Sequence, residues 1–417
     1  MKKLIIIFFA LLLSACDKDN NQSGQTGFLN KPESPGCQSS QLNKQFLVVW
    51  KDGSVSREYA ANKEDFIENF MKENEAYIQF AEPDYVVQFT PLGKGDNVTS
   101  SLFDNWGAAN VGADKAWQKG ARGEGVKVAV IDSGADIYHQ SLKEQIDINQ
   151  NEIPGNGLDD DGNGYVDDYN GYSFVTHDDD VSSSSLHGTH VSGIIAAQHF
   201  DMEVKTDKMQ GIAPGSKIVP LKFIDVDGGG LVSDAIAAID YALSRGAKVI
   251  NASWGGGCSE SLRVKINQLV NHDVLFIAAA GNSYNNIDVL EEAEYPAAYS
   301  TESMLTVGAI TRFNGMALFS NYGEEKVHLF APGERIISTI PNQSYQSLDG
   351  TSMSTPFVSG AAAVLWSLQP TLTAQDVKSL ILQSVRVEKD ESYPNITNGR
   401  LDLACAVSKL NNEICEN

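Results

Sequence analysis

The 417-residue chain carries 31 Lys and Arg residues against 54 Asp and Glu residues, so its formal net charge at pH 7 is −23. This acidity argues against nucleic acid or an anionic membrane surface as the partner, and it leaves carboxylates available for a cation such as calcium. Hydrophobic residues make up 42% of the chain, a share that excludes a disordered protein and indicates a folded globular one.

Residues 1–15 are predicted to be a signal peptide. Lys2 and Lys3 precede the apolar run 4–13, which is too short for a transmembrane helix but has the length of a signal-peptide core. The run leads into "LSAC", which resembles the lipobox of bacterial lipoproteins and ends at Cys16. The resemblance implies lipidation of Cys16 and a lipid-anchored precursor in the membrane of the bacterial cell envelope. The alternative is an ordinary signal peptide followed by a chance cysteine.

A small α+β unit is predicted over residues 44–92, after a polar linker over 16–43. The stretch "QFLVVWKDG" favours a strand and a turn, "KEDFIENFMKEN" an amphipathic helix, and "YVVQF" another strand. The next polar stretch, 93–103, is predicted to be a linker and the region of proteolytic processing, because exposed backbone is open to cleavage. A cut there is expected to release a chain of roughly 300 to 320 residues from the lipidated Cys16.

Residues 104–410 are predicted to form one large domain, followed by a C-terminal tail over 411–417. The runs "VKVAVID", "KIVPLKFID", "AKVINAS", "VLFIAAAG" and "LTVGAI" are typical of strands that are buried on both faces of a parallel sheet. Between two of them, "SDAIAAIDYALSRG" predicts a helix capped by Ser233 and ended by Gly246. The predicted fold class is α/β: a doubly wound, mostly parallel sheet with chemistry at the carboxyl ends of its strands, preceded by the small α+β unit.

Three segments of this domain carry residues that suit nucleophilic catalysis. "VAVIDSGAD" places Asp132 at the end of a buried strand, "HGTHVSG" begins a helix with His187, and "GTSMSTPFVSG" begins another with Ser352. A serine hydroxyl is a poor nucleophile until an imidazole accepts its proton, and a buried carboxylate fixes the tautomer of that imidazole. No "HExxH" helix is present, so no catalytic metal is predicted, and His190 is predicted to be structural.

Together these segments resemble the subtilisin-like serine peptidases, the subtilases, in which the acid, histidine and serine follow in this order. The resemblance covers roughly residues 104 to 408. It implies a serine endopeptidase that hydrolyses protein or peptide substrates with Asp132, His187 and Ser352 as its triad. The alternative function is a non-catalytic binding or adhesion module on the same scaffold.

The resemblance also implies how the transition state is held and how the enzyme is made. Asn282, in "FIAAAGNS", matches the residue whose side-chain amide stabilises the oxyanion beside the backbone N–H of Ser352. Residues 44–92 resemble the family's propeptide, which assists folding and covers the active site. The protein is therefore expected to be an autoprocessed zymogen whose own propeptide is a partner.

Substrate contacts follow from the resemblance in the same way. The segments "DGGGLVSD" and "ASWGGG", together with "AAAG", match the strand that pairs with an extended peptide and the walls of the pocket for the side chain before the cut bond. Glu294, just before Tyr295-Pro296, matches the floor of that pocket and predicts a preference for Arg or Lys. The alternatives are a preference for large apolar side chains and a loop of solvent-facing glutamates. The implied substrate-binding residues are Gly228, Gly229, Gly230, Ser253, Trp254, Gly255, Ala279, Gly281 and Glu294.

An acidic insert, "GNGLDDDGNGYVDD", predicts a structural calcium site. Its spacing follows an EF-hand loop with Gly164 at the sharp turn, although Asn170 stands where such a loop has its glutamate. Oxygen ligands at every second residue suit a hard cation. The alternative is a solvated acidic turn. The predicted ligands are Asp159, Asp161, Asn163, Tyr165 and Asp167.

Five cysteines are present, in a compartment that the signal peptide makes permissive for disulfides. Cys405 and Cys415 lie close together in sequence and are the predicted pair. Pairing of Cys37 with Cys258 is open, since nothing in the sequence supports it.

Overall fold

The computed structural model describes residues 41–88, 92–97, 105–183, 185–198, 210–389 and 392–415. The predicted signal peptide, Cys16 and Cys37 lie outside the described residues. In the part of the chain that the structure describes, no helix has the length and apolar character needed to cross a membrane.

Residues 41–88 form a small α+β structure, the N-terminal unit. Its three strands pair antiparallel with β1 in the centre. Successive residues of β1 face opposite sides, as the two-residue period of a strand requires: Phe46 and Val48 pack under the unit's helix, whereas Leu47 joins a core of the rest of the chain. The elements are β1 (Gln41–Trp50), β2 (Val55–Tyr59), α1 (Lys63–Asp65), a π-helical segment (Phe66–Met71), α2 (Lys72–Asn74) and β3 (Ile78–Gln88).

The remaining described residues form the main domain. Its strands are β4 (Leu92–Asn97), β5 (Lys127–Asp132), β6 (Tyr172–Ser173), β7 (Lys217–Lys222), β8 (Gly229–Leu231), β9 (Val249–Ala252), β10 (Gly255–Gly256), β11 (Leu275–Ala279), β12 (Met304–Ile310), β13 (Leu329–Pro332), β14 (Ile336–Ile340) and β15 (Ser344–Asp349). Its helices are α3 (Trp106–Asn110), α4 (Ala113–Gln118), α5 (His187–Ala196), α6 (Val232–Ser244), α7 (Glu260–Gln268), α8 (Thr351–Leu368), α9 (Ala374–Gln383) and α10 (Leu403–Leu410). Short 3₁₀ turns span Leu269–His272, Leu290–Glu292 and Ala297–Tyr299.

A seven-stranded parallel sheet in the order β13-β12-β11-β9-β5-β7-β6 forms the centre of the main domain. Its central strands are mostly apolar because helices cover both faces. In β5, Val128 and Val130 pack on the side of α5 and α8, whereas Ala129 and Ile131 pack on the side of α6 and α7. The predicted doubly wound α/β fold is confirmed.

The stretch predicted to be a linker contains a strand. Residues 92–97, most of them within the predicted linker 93–103, form β4 and pair antiparallel with β15, just before the helix that carries Ser352. Polar composition alone indicated a loop here, but an edge strand can be polar when a partner strand satisfies its backbone.

The predicted cap of α6 is wrong. The helix begins after Leu231, without a hydrogen bond from a capping side chain of its own, and Ser233 lies inside its first turn. The backbone N–H of Ser233 instead donates to Asp84 of the N-terminal unit at 3.2 Å. The cap is supplied from more than a hundred residues away, which no local pattern indicates.

Disulfides hold two parts of the main domain. Cys405 and Cys415 are bonded to each other. Cys258, between β10 and α7, is also a disulfide cysteine. The open pairing of Cys37 with Cys258 involves a residue outside the described ones.

Candidate active site

Asp132 and His187 meet where β5 ends and α5 begins. The Nδ1 atom of His187 lies 2.8 Å from one carboxylate oxygen of Asp132 and 3.0 Å from the other. The Ser133 N–H donates to the same carboxylate at 2.7 Å, and both side chains are buried. With its Nδ1–H donated to the carboxylate, the neutral ring has Nε2 as its basic nitrogen.

The residue after His187 has to be small. A Cβ on Gly188 would lie 2.1 Å from the carbonyl oxygen of Gly134 and 3.0 Å from Asp132 Oδ1. The glycine in "HGTH" therefore lets the start of α5 approach the end of β5 closely enough for the His187–Asp132 hydrogen bond.

Ser352 lies in the first turn of α8, which packs with α5 on one face of the sheet. Its hydroxyl donates to the carbonyl oxygen of Ser253 at 3.0 Å, and the Ser253 hydroxyl donates to the carbonyl oxygen of Ser352 at 2.9 Å. This reciprocal pair fixes the start of α8 at the carboxyl end of β9. Catalytic hydrogen bonds in resting enzymes are often formed only when substrate binds, so the Ser352 proton directed at Ser253 suits a resting site.

Two hydrogen-bond donors border one small space beside Ser352. The amide oxygen of Asn282 accepts from the backbone N–H of Thr351 at 2.8 Å and from its hydroxyl at 2.9 Å, so the amide nitrogen faces the other way. A Cβ built on Gly350 would lie 3.6 Å from both Asn282 Nδ2 and the backbone nitrogen of Ser352. These donors are placed together as an oxyanion would require.

His190 is fully buried three residues along α5 from His187, with its Nε2 atom 3.0 Å from the carbonyl oxygen of Gln346. Burial lowers its pKa to about 3, so the ring stays neutral. It joins α5 to β15.

The N-terminal unit already occupies the groove that was predicted to bind substrate. Residues Val86–Gln88 of β3 pair antiparallel with β8 on one side and β10 on the other. A Cβ on Gly256 would lie 3.2 Å from the Cα of Val87, so glycine permits this close approach. The next described strand, β4, lies beside β15 just before Ser352.

Not every predicted substrate-binding residue faces this groove. Gly229, Gly230 and Gly255 pair directly with β3. Gly228 lies in the preceding turn, where its N–H donates to Asp225. The Trp254 side chain is buried and donates to the carbonyl oxygen of Ile131 at 2.9 Å. Its side chain therefore supports the groove from within the core of the main domain.

Three further predicted residues, Ala279, Gly281 and Glu294, lie at or near the carboxyl end of β11. Ala279 ends β11, and Gly281 comes just before Asn282. The Glu294 carboxylate fits between Gly281 and Gly255, close to both.

Sequence reasoning missed the acidic residues that hold the N-terminal unit. Glu82 accepts hydrogen bonds at the start of α7, from the Ser259 hydroxyl at 2.6 Å, the Ser261 N–H at 2.9 Å and the Glu260 N–H at 3.2 Å. Asp84 caps α6 in the same way. Burial raises the pKa of each carboxyl. Glu82 and Asp84 alternate along β3, and that two-residue spacing of carboxylates was the signal available in "FAEPDY".

Several of the predicted calcium ligands form hydrogen bonds within the acidic insert. Asp159 accepts from the backbone N–H groups of its own loop, at Gly162, Asn163 and Gly164. Asp167 accepts from those of Asn156 and Gly157. These two carboxylates shape the loop, as does Asn163, whose side chain bonds to the Tyr165 N–H and to Asp168.

Among the acidic side chains that the structure describes, Asp161 of the predicted set belongs to a cluster that could hold a cation. Carboxylate oxygens of Glu152, Asp161 and Asp168 lie within 4.8 Å of one another. Glu152 is 4% exposed and, among the described residues, its Oε2 atom has no hydrogen-bond partner. Its burial, together with the neighbouring Asp168 and Asp161, raises its pKa. A hard divalent cation would satisfy the unpartnered oxygen and offset the repulsion.

The model of the subtilase family matches residues 123–403. The chain belongs to this family. It is 35% identical over 259 residues to the major intracellular serine protease of Bacillus subtilis, an alignment that covers 62% of this chain and 73% of that protein. Subtilisin DY of Bacillus licheniformis is 32% identical over 289 residues, covering 69% of this chain and 93% of that one.

A solved structure supports the same assignment. The crystal structure of a cold adapted subtilisin-like serine proteinase superposes with a TM-score of 0.55 at 29% identity, covering 67% of this chain and 89% of that one. The subtilase described here is therefore a subtilisin-like serine endopeptidase.

Proposed function

We propose that Ser352 is the nucleophile of this endopeptidase, His187 its general base and Asp132 the residue that orients the base. The observation that carries this assignment is the hydrogen-bonded pair of Asp132 and His187, both buried, at the carboxyl end of a central strand. As Oγ of Ser352 bonds to the substrate carbonyl carbon, Nε2 of His187 takes its proton and then delivers it to the leaving amine. Water hydrolyses the acyl-enzyme by the same route.

Asn282 Nδ2 and the Ser352 N–H would hold the negative oxygen of the tetrahedral intermediate. Their common position beside Gly350 supports this role. Gly350 has a φ of 151°, a conformation that favours glycine. Because glycine has no Cβ, the space that the oxygen needs stays open.

A fluorophosphonate probe tests the assignment, because it reacts only with an activated serine. We expect labelling of the wild type, loss of labelling in Ser352→Ala and strong slowing in His187→Ala. Ser354→Ala is the matched control, since this neighbouring hydroxyl in α8 bonds only within the fold, to Ala331. Labelling that survives in Ser352→Ala would contradict the assignment, and a wild type that is never labelled would favour the non-catalytic alternative.

The N-terminal unit is proposed to be a propeptide of an autoprocessed zymogen. Its strand β3 lies in the groove as a substrate strand would, and β4, the next described strand, pairs with β15 just before Ser352. In this arrangement the unit blocks the cleft until the chain is cut. The bond that is cut is proposed to lie in the predicted processing region or just before it.

Calcium is the proposed ligand of the acidic cluster Glu152, Asp161 and Asp168. Three carboxylates and an unpartnered buried oxygen form an all-oxygen donor set, which calcium prefers. Bound there, the ion would neutralise the cluster and fix the acidic insert against the main domain. It has no part in the peptide hydrolysis.

Anchoring at the bacterial cell envelope remains a proposal that rests on the "LSAC" motif at Cys16. Mass spectrometry of the intact precursor would show a diacylglycerol on Cys16, and an unmodified mature N-terminus elsewhere would contradict it. Release of the main domain by a cut in the processing region is part of the same proposal.

A further inference from the structure

The Glu294 carboxylate occupies the gap between two chain segments that flank the cleft. A Cβ on Gly255 would lie 2.5 Å from its Oε1 atom, and a Cβ on Gly281 would lie 2.0 Å from its Oε2 atom. The segments that hold these glycines follow β9 and β11, which are neighbours in the parallel sheet. The carboxylate therefore lies in a crevice at the carboxyl ends of adjacent strands, where α/β proteins bind ligands.

This crevice opens next to the proposed nucleophile. One wall contains Ser253, which exchanges hydrogen bonds with Ser352, and the other leads directly into Asn282. A peptide that follows the path of β3 along Gly255 and Gly256 would carry the side chain before the cut bond into the gap between these walls. Glu294 would be the residue that this side chain meets.

Glu294 is held in place but lacks a cation. Its backbone is fixed by the hydrogen bonds that join Tyr295 to Gly256, at 2.8 and 3.0 Å. Its carboxylate accepts one hydrogen bond, from Asn321 Nδ2 at 3.1 Å, and Asn321 is itself fixed by the N–H groups of Ser283 and Asn285. Within the described ranges Glu294 forms no ion pair. A desolvated carboxylate with one donor favours a cationic ligand over an apolar one.

We propose that Glu294 makes this peptidase select substrates with Lys or Arg immediately before the cut bond. The inference rests on the proposed role of Ser352 and adds the substrate class. An ammonium or guanidinium group would supply the charge that the crevice lacks, with a charge-assisted hydrogen bond to Glu294. A Phe or Leu side chain would have to share the crevice with an unpaired carboxylate.

The test is kcat/KM at pH 8 on peptides that differ only in that one residue, with Arg, Lys, Leu or Phe. We expect the wild type to prefer Arg and Lys about 10- to 100-fold, the range of one charge-assisted hydrogen bond. Glu294→Gln keeps the shape and should remove this preference. Glu291→Gln, an exposed glutamate of the same loop, is the matched control and should retain it.

Lowering the pH should weaken the preference for Arg and Lys, as the substitution Glu294→Gln should. Desolvation raises the pKa of Glu294 to about 7, so below pH 7 the carboxyl is increasingly neutral. The groups that face it, Gly255, Gly281 and Asn321, do not titrate, and adjacent Tyr295, its pKa raised by burial, keeps its proton. The ratio of kcat/KM for Lys over Leu should therefore fall from pH 8 to pH 6 in the wild type and stay constant in Glu294→Gln. An effect of pH on the catalytic step itself is common to both substrates and cancels in this ratio.

Labelling of Ser352 with the fluorophosphonate probe separates the two proposals. If wild type and Glu294→Gln are labelled equally but the wild type prefers Phe or Leu, the inference about Glu294 is wrong and the catalytic assignment stands. If neither protein is labelled even after the N-terminal unit has been cut away, the catalytic assignment itself fails.

Discussion

The N-terminal unit and the main domain are stabilised in different ways. The main domain buries apolar side chains on both faces of its seven-stranded sheet. The core of the N-terminal unit is a small cluster around Phe46 and Phe66, and its Leu47 and Val87 join a core of the main domain. A unit of about fifty residues is close to the lower size limit for independent folding. The main domain is thus complete in itself, whereas the N-terminal unit depends on the surface that it covers.

The polar contacts also show that the N-terminal unit depends on the main domain. Glu82 and Asp84 satisfy backbone N–H groups at the starts of α7 and α6, and Arg57 pairs with Asp234 in the first turn of α6. Carboxylates at helix N-termini are favourable because the N–H groups there have no partner within the helix. The N-terminal unit is therefore held by helix starts of the main domain, at the same groove that would bind substrate.

The largest effect is expected from Ser352→Ala. Loss of the nucleophile should lower peptide hydrolysis about 10⁶-fold, the size of the loss in subtilisin itself. Because the same serine is proposed to cut the precursor, the N-terminal unit and the main domain should stay one chain. Denaturing electrophoresis of the purified, reduced protein checks this. A purified Ser352→Ala protein that still matures would show that another peptidase separates the two regions.

Glu82→Ala should loosen the N-terminal unit and leave the main domain intact. The substitution leaves N–H donors at the start of α7 without their partner, which costs roughly 1–3 kcal/mol. The helix itself should persist, since Ser259 also caps it, accepting from the Leu262 N–H at 3.2 Å. In the Ser352→Ala background, hydrogen exchange of β3 amides should therefore quicken about 5- to 150-fold.

The control for that measurement is Glu64→Ala, an exposed glutamate on the helix of the N-terminal unit. It should leave the exchange of β3 unchanged. Equal exchange in all three proteins would mean that the apolar contacts of Leu47 and Val87 alone hold the unit in place.

The smallest effect is expected from calcium, and only in the main domain. A ligand at a hundred times its dissociation constant stabilises the folded state by about 2.7 kcal/mol, and each kcal/mol shifts Tm by roughly 2–4 °C in a domain of this size. EDTA should therefore lower the Tm of the main domain by roughly 5–10 °C. Asp161→Asn and Asp168→Asn should remove most of this response, whereas Asp167→Asn should keep it. An identical melting curve with and without EDTA would mean that the cluster holds no calcium.

The parallel sheet could be predicted because its signal is local. Strands such as β5 and β11 bury both faces, so each is a continuous apolar run that ends at a residue of the site. Asp132, His187 and Ser352 could be identified for a related reason, since each lies at the start or end of a helix or strand with a clear local pattern. Side chains at these positions are placed by the fold with little help from distant loops.

What could not be predicted depends on contacts between distant segments. β4 is a strand because β15 lies beside it, and α6 is capped by Asp84 from another unit. In the acidic insert, spacing could not tell a carboxylate that bonds to its own loop, such as Asp159, from one such as Asp168 that turns inward. A carboxylate is available for a cation only if its oxygens do not already accept from backbone N–H groups. The spacing of the residues does not show which carboxylates these are.

The pairing of β4 with β15 makes the position of the cut matter for the mature enzyme. β4 is the outer strand of a three-stranded sheet, and β15 ends just before the helix that carries Ser352. A cut before β4 would leave this strand in the main domain as its new N-terminal segment. A cut after β4 would remove its covalent link to the main domain and expose the backbone edge of β15, where an extended peptide can then pair.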